Sequence, residues 1–181
     1  MQVHFVKSAR KDNPFAGIKK GDSYYWWQFA FSSKSFSKKP PKPQQLTRSD
    51  FLISVYDIQD RISGMQPETF EDFNNERDEI VNDIQELATE QEEKRDNMPE
   101  TLQDSATGEL LQERHDSMDE WASEIESVEL EEDDEEEIRR EIRDDCDEKI
   151  TDDELDERVK ERIAEIIQNA VEELQGKEPN L

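Results

Sequence analysis

The chain has 181 residues, 31% of them hydrophobic and 40% charged, with a mean hydropathy of −1.12 and a formal net charge of −26. So polar a chain excludes one large buried core, and it excludes a membrane-spanning helix, because nowhere do ten apolar residues run together. The charge is also divided: residues 1–49 hold ten Lys/Arg against Asp12 and Asp22, whereas the remainder holds thirteen Lys/Arg against forty-seven Asp/Glu.

A basic head therefore precedes an acidic body, and charge of this kind speaks to partners and solubility more than to fold. The apolar residues recur at regular spacings, which points to ordered helices with narrow buried stripes, completed by helix pairing or by self-association. The first residues carry Lys7, Arg10 and Lys11 but no apolar run of the secretory kind. Cys146, the only cysteine, has no partner for a disulfide or a cysteine-based zinc site. The expected setting is the cytoplasm, or a host's cytoplasm for a viral protein.

Residues 1–39 read as a small three-stranded sheet. The run from Ser23 to Phe31, Ser-Tyr-Tyr-Trp-Trp-Gln-Phe-Ala-Phe, is the strongest strand signal in the chain. Turn residues bracket it, and residues 17–20 and 35–38 are the expected partner strands. Alternation places Tyr25, Trp27, Phe29 and Phe31 on a core face that Val3, Phe5, Phe15 and Phe36 could complete, and Tyr24 and Trp26 on the opposite face.

Residues 40–46, with Pro40, Pro41 and Pro43, read as a stiff linker. A helical body over 47–130 follows. Thr47 or Ser49 can cap a first helix with Phe51, Leu52, Val55, Ile58 and Ile62 on one stripe, ended by Gly64. Pro67 suits the first turn of the next helix.

Phe70, Phe73, Arg77, Ile80, Ile84 and Leu87 then step by three and four, as do Leu111, Arg114, Met118, Trp121, Ile125 and Val128 in a helix starting near Thr107 and Gly108. These are two coiled-coil seams, each with one Arg. The short link between them predicts an antiparallel hairpin that sets Ile80 near Ile125 and Ile84 near Trp121.

Residues 131–181 form an acidic helical segment, read as one long helix with a break at Thr151 or as two. Ile138, Ile142, Cys146 and Ile150 keep helical spacing, and Thr151 with Glu154 makes a capping box. Leu155, Val159, Ile163, Ile166, Ala170 and Leu174 then make a stripe ending at Gly176. Glu135 with Arg139, Glu136 with Arg140, and Asp156 with Lys160 stand at i,i+4, pairs worth about 0.2–0.5 kcal/mol each.

The fold expected is mainly α: an antiparallel coiled-coil-like helical hairpin plus a long acidic C-terminal helix, with a small N-terminal three-stranded β-sheet.

The candidate site is in the head. Lys7, Arg10, Lys11, Lys19, Lys20, Lys34 and Lys38 surround a sheet whose second face carries Tyr24 and Trp26. Cations neutralise phosphates and aromatic rings stack on unpaired bases, so these nine residues are the expected contacts for DNA or RNA. The plainer alternative makes the rings core and the lysines a solvated rim.

Gly17-Ile18-Lys19-Lys20-Gly21-Asp22-Ser23-Tyr24-Tyr25-Trp26-Trp27, followed by Lys34-Ser35-Phe36-Ser37-Lys38, resembles the arm-type DNA-binding domain of tyrosine recombinases over residues 17–45. That resemblance implies a three-stranded sheet facing DNA and nothing of strand cleavage, since no recombinase catalytic region follows. Lys7-Ser8-Ala9-Arg10-Lys11-Asp12-Asn13-Pro14 with the aromatic strand, and Asn97-Met98-Pro99-Glu100, are similar to small phage-encoded proteins of unassigned function.

The acidic run Glu131, Glu132, Asp133, Asp134, Glu135, Glu136 and Glu137 is the candidate contact for a basic protein, or for the protein's own head. An alternative role follows, that of a nucleic-acid mimic or adaptor that inhibits a basic host protein. No metal loop is expected, because the acids neither alternate nor meet a glycine as in an EF-hand. No cofactor motif or catalytic constellation is present: His4 and His115 are the only histidines, and acids beside Cys146 would raise its thiol pKa. The role expected is that of a non-enzymatic accessory protein.

Overall fold

The structure is a computed structural model that describes residues 1–130, 133–145 and 151–181, with residues 133–135 described by their backbone alone. The chain forms two compact units, Met1–Tyr56 and Asp57–Leu181.

The head holds a three-stranded antiparallel sheet in the order β1 (His4–Val6), β2 (Tyr24–Trp27), β3 (Ser35–Ser37). The aromatic run supplies its central strand and β3 lies within the predicted 35–38, but the first edge strand is not 17–20. Those residues form a tight loop, in which Asn13 and Ile18 exchange backbone hydrogen bonds at 2.7 and 3.0 Å around the turn Pro14–Ala16. The amide of Lys19 donates to Asp22 Oδ2 at 2.9 Å and that of Lys20 to Asp12 Oδ1 at 2.6 Å. Side chains have thus taken the N–H groups that a ladder would need.

The register sets His4 opposite Trp26 and Trp26 opposite Phe36, so these share one face with Val6 and Tyr24. The other face carries Phe5, Tyr25 and Trp27. Only Trp27 of the central strand is buried, and its indole N–H donates to Gln45 O at 3.1 Å.

Gln45 lies in a 3₁₀ turn, Pro43–Leu46, so residues 40–46 belong to the head unit and do not act as a spacer between units. Prolines lack N–H groups, which leaves such a stretch with spare carbonyls, and a buried indole requires one. Phe29 lies beneath the Arg48 guanidinium at 4.7 Å. Phe15 and Phe31 are fully exposed and Phe36 sits on the opposite face, so none of the three completes the core around Trp27.

The division between units falls within α1 (Asp50–Ser63), which buries Phe51, Val55, Ile58 and Ile62 as their spacing predicts. The Gly64 amide closes it on Asp60 O and Arg61 O at 3.1 and 3.0 Å.

In the second unit α2 (Phe70–Asp96) starts at Thr69, whose Oγ1 accepts from the Asp72 amide at 3.0 Å. Pro67 therefore precedes the helix and does not open it. α3 (Glu100–Gln103) leads to α4 (Ala106–Glu126). A Cβ on Gly108 would fall 2.0 Å from the Gln103 carbonyl oxygen, so this turn closes only over glycine.

α2 and α4 pack together along the two predicted seams. Phe73, Ile80, Ile84, Met118 and Ile125 are fully buried, and Phe70 and Trp121 are 1% exposed. Polar contacts fix the antiparallel register. Asn74 and Leu130 exchange hydrogen bonds at 2.6 and 3.2 Å, the buried Arg77 donates to Val128 O at 3.0 Å, and His115 Nδ1 lies 3.2 Å from Ala88 O. This alignment sets Ile80 by Ile125 and Ile84 by Trp121.

The acidic segment is two helices, α5 (Asp133–Asp145) and α6 (Asp152–Gln175). The capping box forms, with Thr151 Oγ1 accepting from the Glu154 amide at 3.3 Å and the Glu154 carboxylate accepting from the Thr151 amide at 3.1 Å. The buried α6 stripe is Leu155, Val159, Ile167, Ala170, Val171 and Leu174, whereas Ile163 and Ile166 are half-buried. α6 packs on α5 and on α2, and the segment after it is tied to α4 by Trp121 Nε1 donating to Lys177 O at 3.0 Å and Ser117 Oγ to Asn180 O at 2.9 Å. The same chain therefore covers the stripe. Arg139 bridges the two helices to Asp156 at 2.5 Å, so Asp156 has a partner other than the expected Lys160. Cys146 and Ile150 lie outside the described residues.

Candidate nucleic-acid interface

The face of the sheet that carries Tyr24 and Trp26 is where the candidate residues gather. Segment 8–18 folds over part of it, leaving a cavity of about 660 Å³ whose walls include Val6, Ala9, Ile18, Tyr24 and Phe36, with Arg10, Lys11, Asn13 and Phe15 also lining it. Ala9 and Ile18 are buried, so the apolar wall is fixed by packing, while Arg10 and Lys11 are exposed.

Further along the face Trp26 is already in contact with two groups. His4 stacks on it at 4.1 Å between centroids, with the planes 14° apart, and Lys34 Nζ lies 4.0 Å from the ring centroid. Tyr24 leans toward Phe36 at 6.1 Å and 47°.

Both acids before residue 50 are turned to internal use. Asp22 bridges to Lys38 at 2.7 Å and accepts from the Lys19 amide, while Asp12 accepts from the Lys20 amide. The Lys38 ammonium beside Asp22, aided by the Lys19 N–H, holds its carboxyl below the usual carboxylate range. The Lys19 and Lys20 side chains are exposed, as is Lys7 just past β1. Neither Arg10 nor Lys11 forms an ion pair with a described residue.

Of the nine expected residues, the structure brings Arg10, Lys11 and Tyr24 to the cavity, and Trp26 with Lys34 to the same face beside it. Lys38 and the Lys19 turn join through Asp22, whose carbonyl accepts from the Ala9 amide at 2.8 Å. Lys7 and the Lys20 side chain have no such tie to the cavity. Phe36, Phe15, Asn13 and His4 were missed as site residues. Phe36 was legible in principle, because the antiparallel register opposite Trp26 forces it onto that face; the fold of 8–18 that brings Phe15 and Asn13 was not.

Of the acidic run, Glu131 and Glu132 lie outside the described residues, Asp133, Asp134 and Glu135 open α5, and Glu136 and Glu137 are exposed on it. Among the described residues no group of three or more His, Cys, Asp or Glu is placed to hold a metal ion, and no helix is long and apolar enough to cross a membrane. Compared with protein-family models, with curated proteins and with solved structures, the chain finds no match in any of the three.

Proposed function

We propose that the head binds DNA or RNA through the face bearing Tyr24 and Trp26, and that the protein serves as a non-enzymatic accessory protein whose acidic helices meet protein partners. One observation carries the reading: a cavity with an aromatic and apolar wall rimmed by Arg10 and Lys11, whose lining acid, Asp12, accepts from the Lys20 amide, in a unit whose other acid before residue 50, Asp22, is held by Lys38 and the Lys19 amide. Burying phosphate against unpaired cations releases counterions, and this sequence-independent term drives association. The acidic body opposes it only over short range, since charges are screened within about 8 Å at physiological ionic strength.

The test is fluorescence anisotropy of labelled oligonucleotides with the full chain across about 50–200 mM salt. Affinity should fall steeply with salt, and the double variant R10Q/K11Q should flatten the log–log slope by about 1.4–1.8. A chain that ignores both DNA and RNA at the low end of that range overturns the proposal.

A further inference from the structure

We infer that the cavity between the sheet and segment 8–18 is a pocket for an unpaired base, so that the ligand of the head is single-stranded nucleic acid. The inference rests on the nucleic-acid reading above and narrows it.

A sheet that reads a duplex presents its face outward, because the major groove admits a ribbon only as a protruding element. Here the rings best suited to contact bases, the half-buried Tyr24 and the more exposed Phe36, line a concave site and not a protruding face. Tyr24 and Phe36 form part of the wall of a cavity of about 660 Å³ that segment 8–18 overhangs. Paired bases within a duplex already have both faces covered by their neighbours, whereas a base turned out of a single strand can enter a concave site and lay a face on Tyr24 or Phe36. The volume is within the range of about 300–1,000 Å³ usual for small-ligand sites.

The chemistry of the walls fits such a base. Tyr24 and Phe36 offer ring surfaces, Asn13 brings an amide that can meet a base edge, and Arg10 with Lys11 at the rim can take the phosphate. Phe15 also lines the cavity and is itself fully exposed, which suits it to the neighbouring base. Trp26 is less suited than its position on the strand implied. His4 and Lys34 already lie against its ring, and a base would have to displace one of them.

Anisotropy with the full chain should show an oligo(dT) strand bound more tightly than a duplex of equal length. Tyr24→Leu and Phe36→Leu keep bulk and remove the stacking ring; each should weaken single-strand binding by about 5- to 150-fold and leave duplex binding unchanged. R10Q/K11Q should weaken both ligands. Phe15→Ser, at an exposed turn that carries no packing, should lower single-strand affinity several-fold and serves if a strand variant fails to fold.

A strand carrying 5-iodouracil, crosslinked by light and mapped by mass spectrometry, should mark Phe15, Tyr24 or Phe36. Equal affinity for duplex and single strand, or full single-strand binding by Phe15→Ser and both leucine variants while R10Q/K11Q still loses it, overturns the base pocket and leaves the nucleic-acid reading standing. Loss of all binding in the unaltered chain removes both.

Discussion

The two units use the same kinds of side chain in opposite ways. In the body the large aromatics are core: Phe70, Phe73 and Trp121 are at most 1% exposed. In the head Trp27 alone of the sheet aromatics is buried, Tyr24, Tyr25 and Trp26 are half-buried, and Phe15 and Phe31 stand in solvent. The three tryptophans mark the contrast. Trp27 and Trp121 each find a carbonyl for the indole N–H, as buried indoles require, and Trp26 lies against a lysine and a histidine at the surface. The body thus reaches its fold by burial, while the head keeps more ring surface than its small core uses. That surplus, beside Arg10 and Lys11, is the basis for proposing the head as the binding unit.

The contrast is sharpest in the cost of removing an indole. Trp121→Ala empties the centre of the hairpin and orphans the Lys177 carbonyl, so unfolding in denaturant should show a loss of about 3–5 kcal/mol. The matching change in the head, Trp26→Ala, removes surface stacking and should cost only about 1 kcal/mol. Equal losses would show that the head hides a core of its own.

A smaller effect is expected at Phe31, which holds a φ of 61° at the tip of the loop between β2 and β3, a left-handed conformation costing a bulky residue about 1–2 kcal/mol. Phe31→Gly should therefore stabilise the head by about 1 kcal/mol in thermal melting, an unusual sign for the deletion of an aromatic ring. A destabilised head would mean that the exposed ring has a packing role after all.

The smallest effect is electrostatic. Because Lys38 and the Lys19 N–H depress the Asp22 pKa in the folded head, the stabilisation is fully present above the ordinary carboxylate value and is lost as pH falls through the lowered one. Carboxyl NMR should find Asp22 titrating below the ordinary value, and Lys38→Gln should move its midpoint upward. Glu154, held low by the Thr151 amide and hydroxyl, should titrate below the usual glutamate value in the body and ignore that change.

The body was far more legible in sequence than the head. Of the seams read from spacing alone, Phe70 to Leu87 is buried at every predicted position and Leu111 to Val128 from Met118 onward, with Leu111 and Arg114 half-buried, because a helix translates periodicity directly into a face. Where the period ran on into α6, the stripe drifted toward Ile167 and Val171, since cover from a second helix, not the repeat, decides which flank is shielded. In the head only the central strand carried its own signal. Its partner His4–Val6 is three residues long and is fixed by contacts far along the chain, while 17–20 looked extended but had its amides captured by Asp12 and Asp22. Candidate cations were easy to name by charge. The recess they rim arises from how 8–18 folds over the sheet, which no local spacing encodes.

The polar contacts at the far end of the α2–α4 hairpin bear on fidelity. Two seams of period seven admit rival alignments displaced by one heptad, about 10.5 Å along the axis. Apolar side chains discriminate poorly among them, for a slipped isoleucine meets another aliphatic neighbour. Arg77 does not tolerate the slip: displaced from the Val128 carbonyl it would stay buried without that acceptor, and Asn74 would lose both of its bonds to Leu130. Wrong alignments are therefore disfavoured by the polar groups they would leave unsatisfied. It follows that aliphatic seam positions can exchange among themselves with modest effect, while Asn74 and Arg77 hold the molecule to a single alignment.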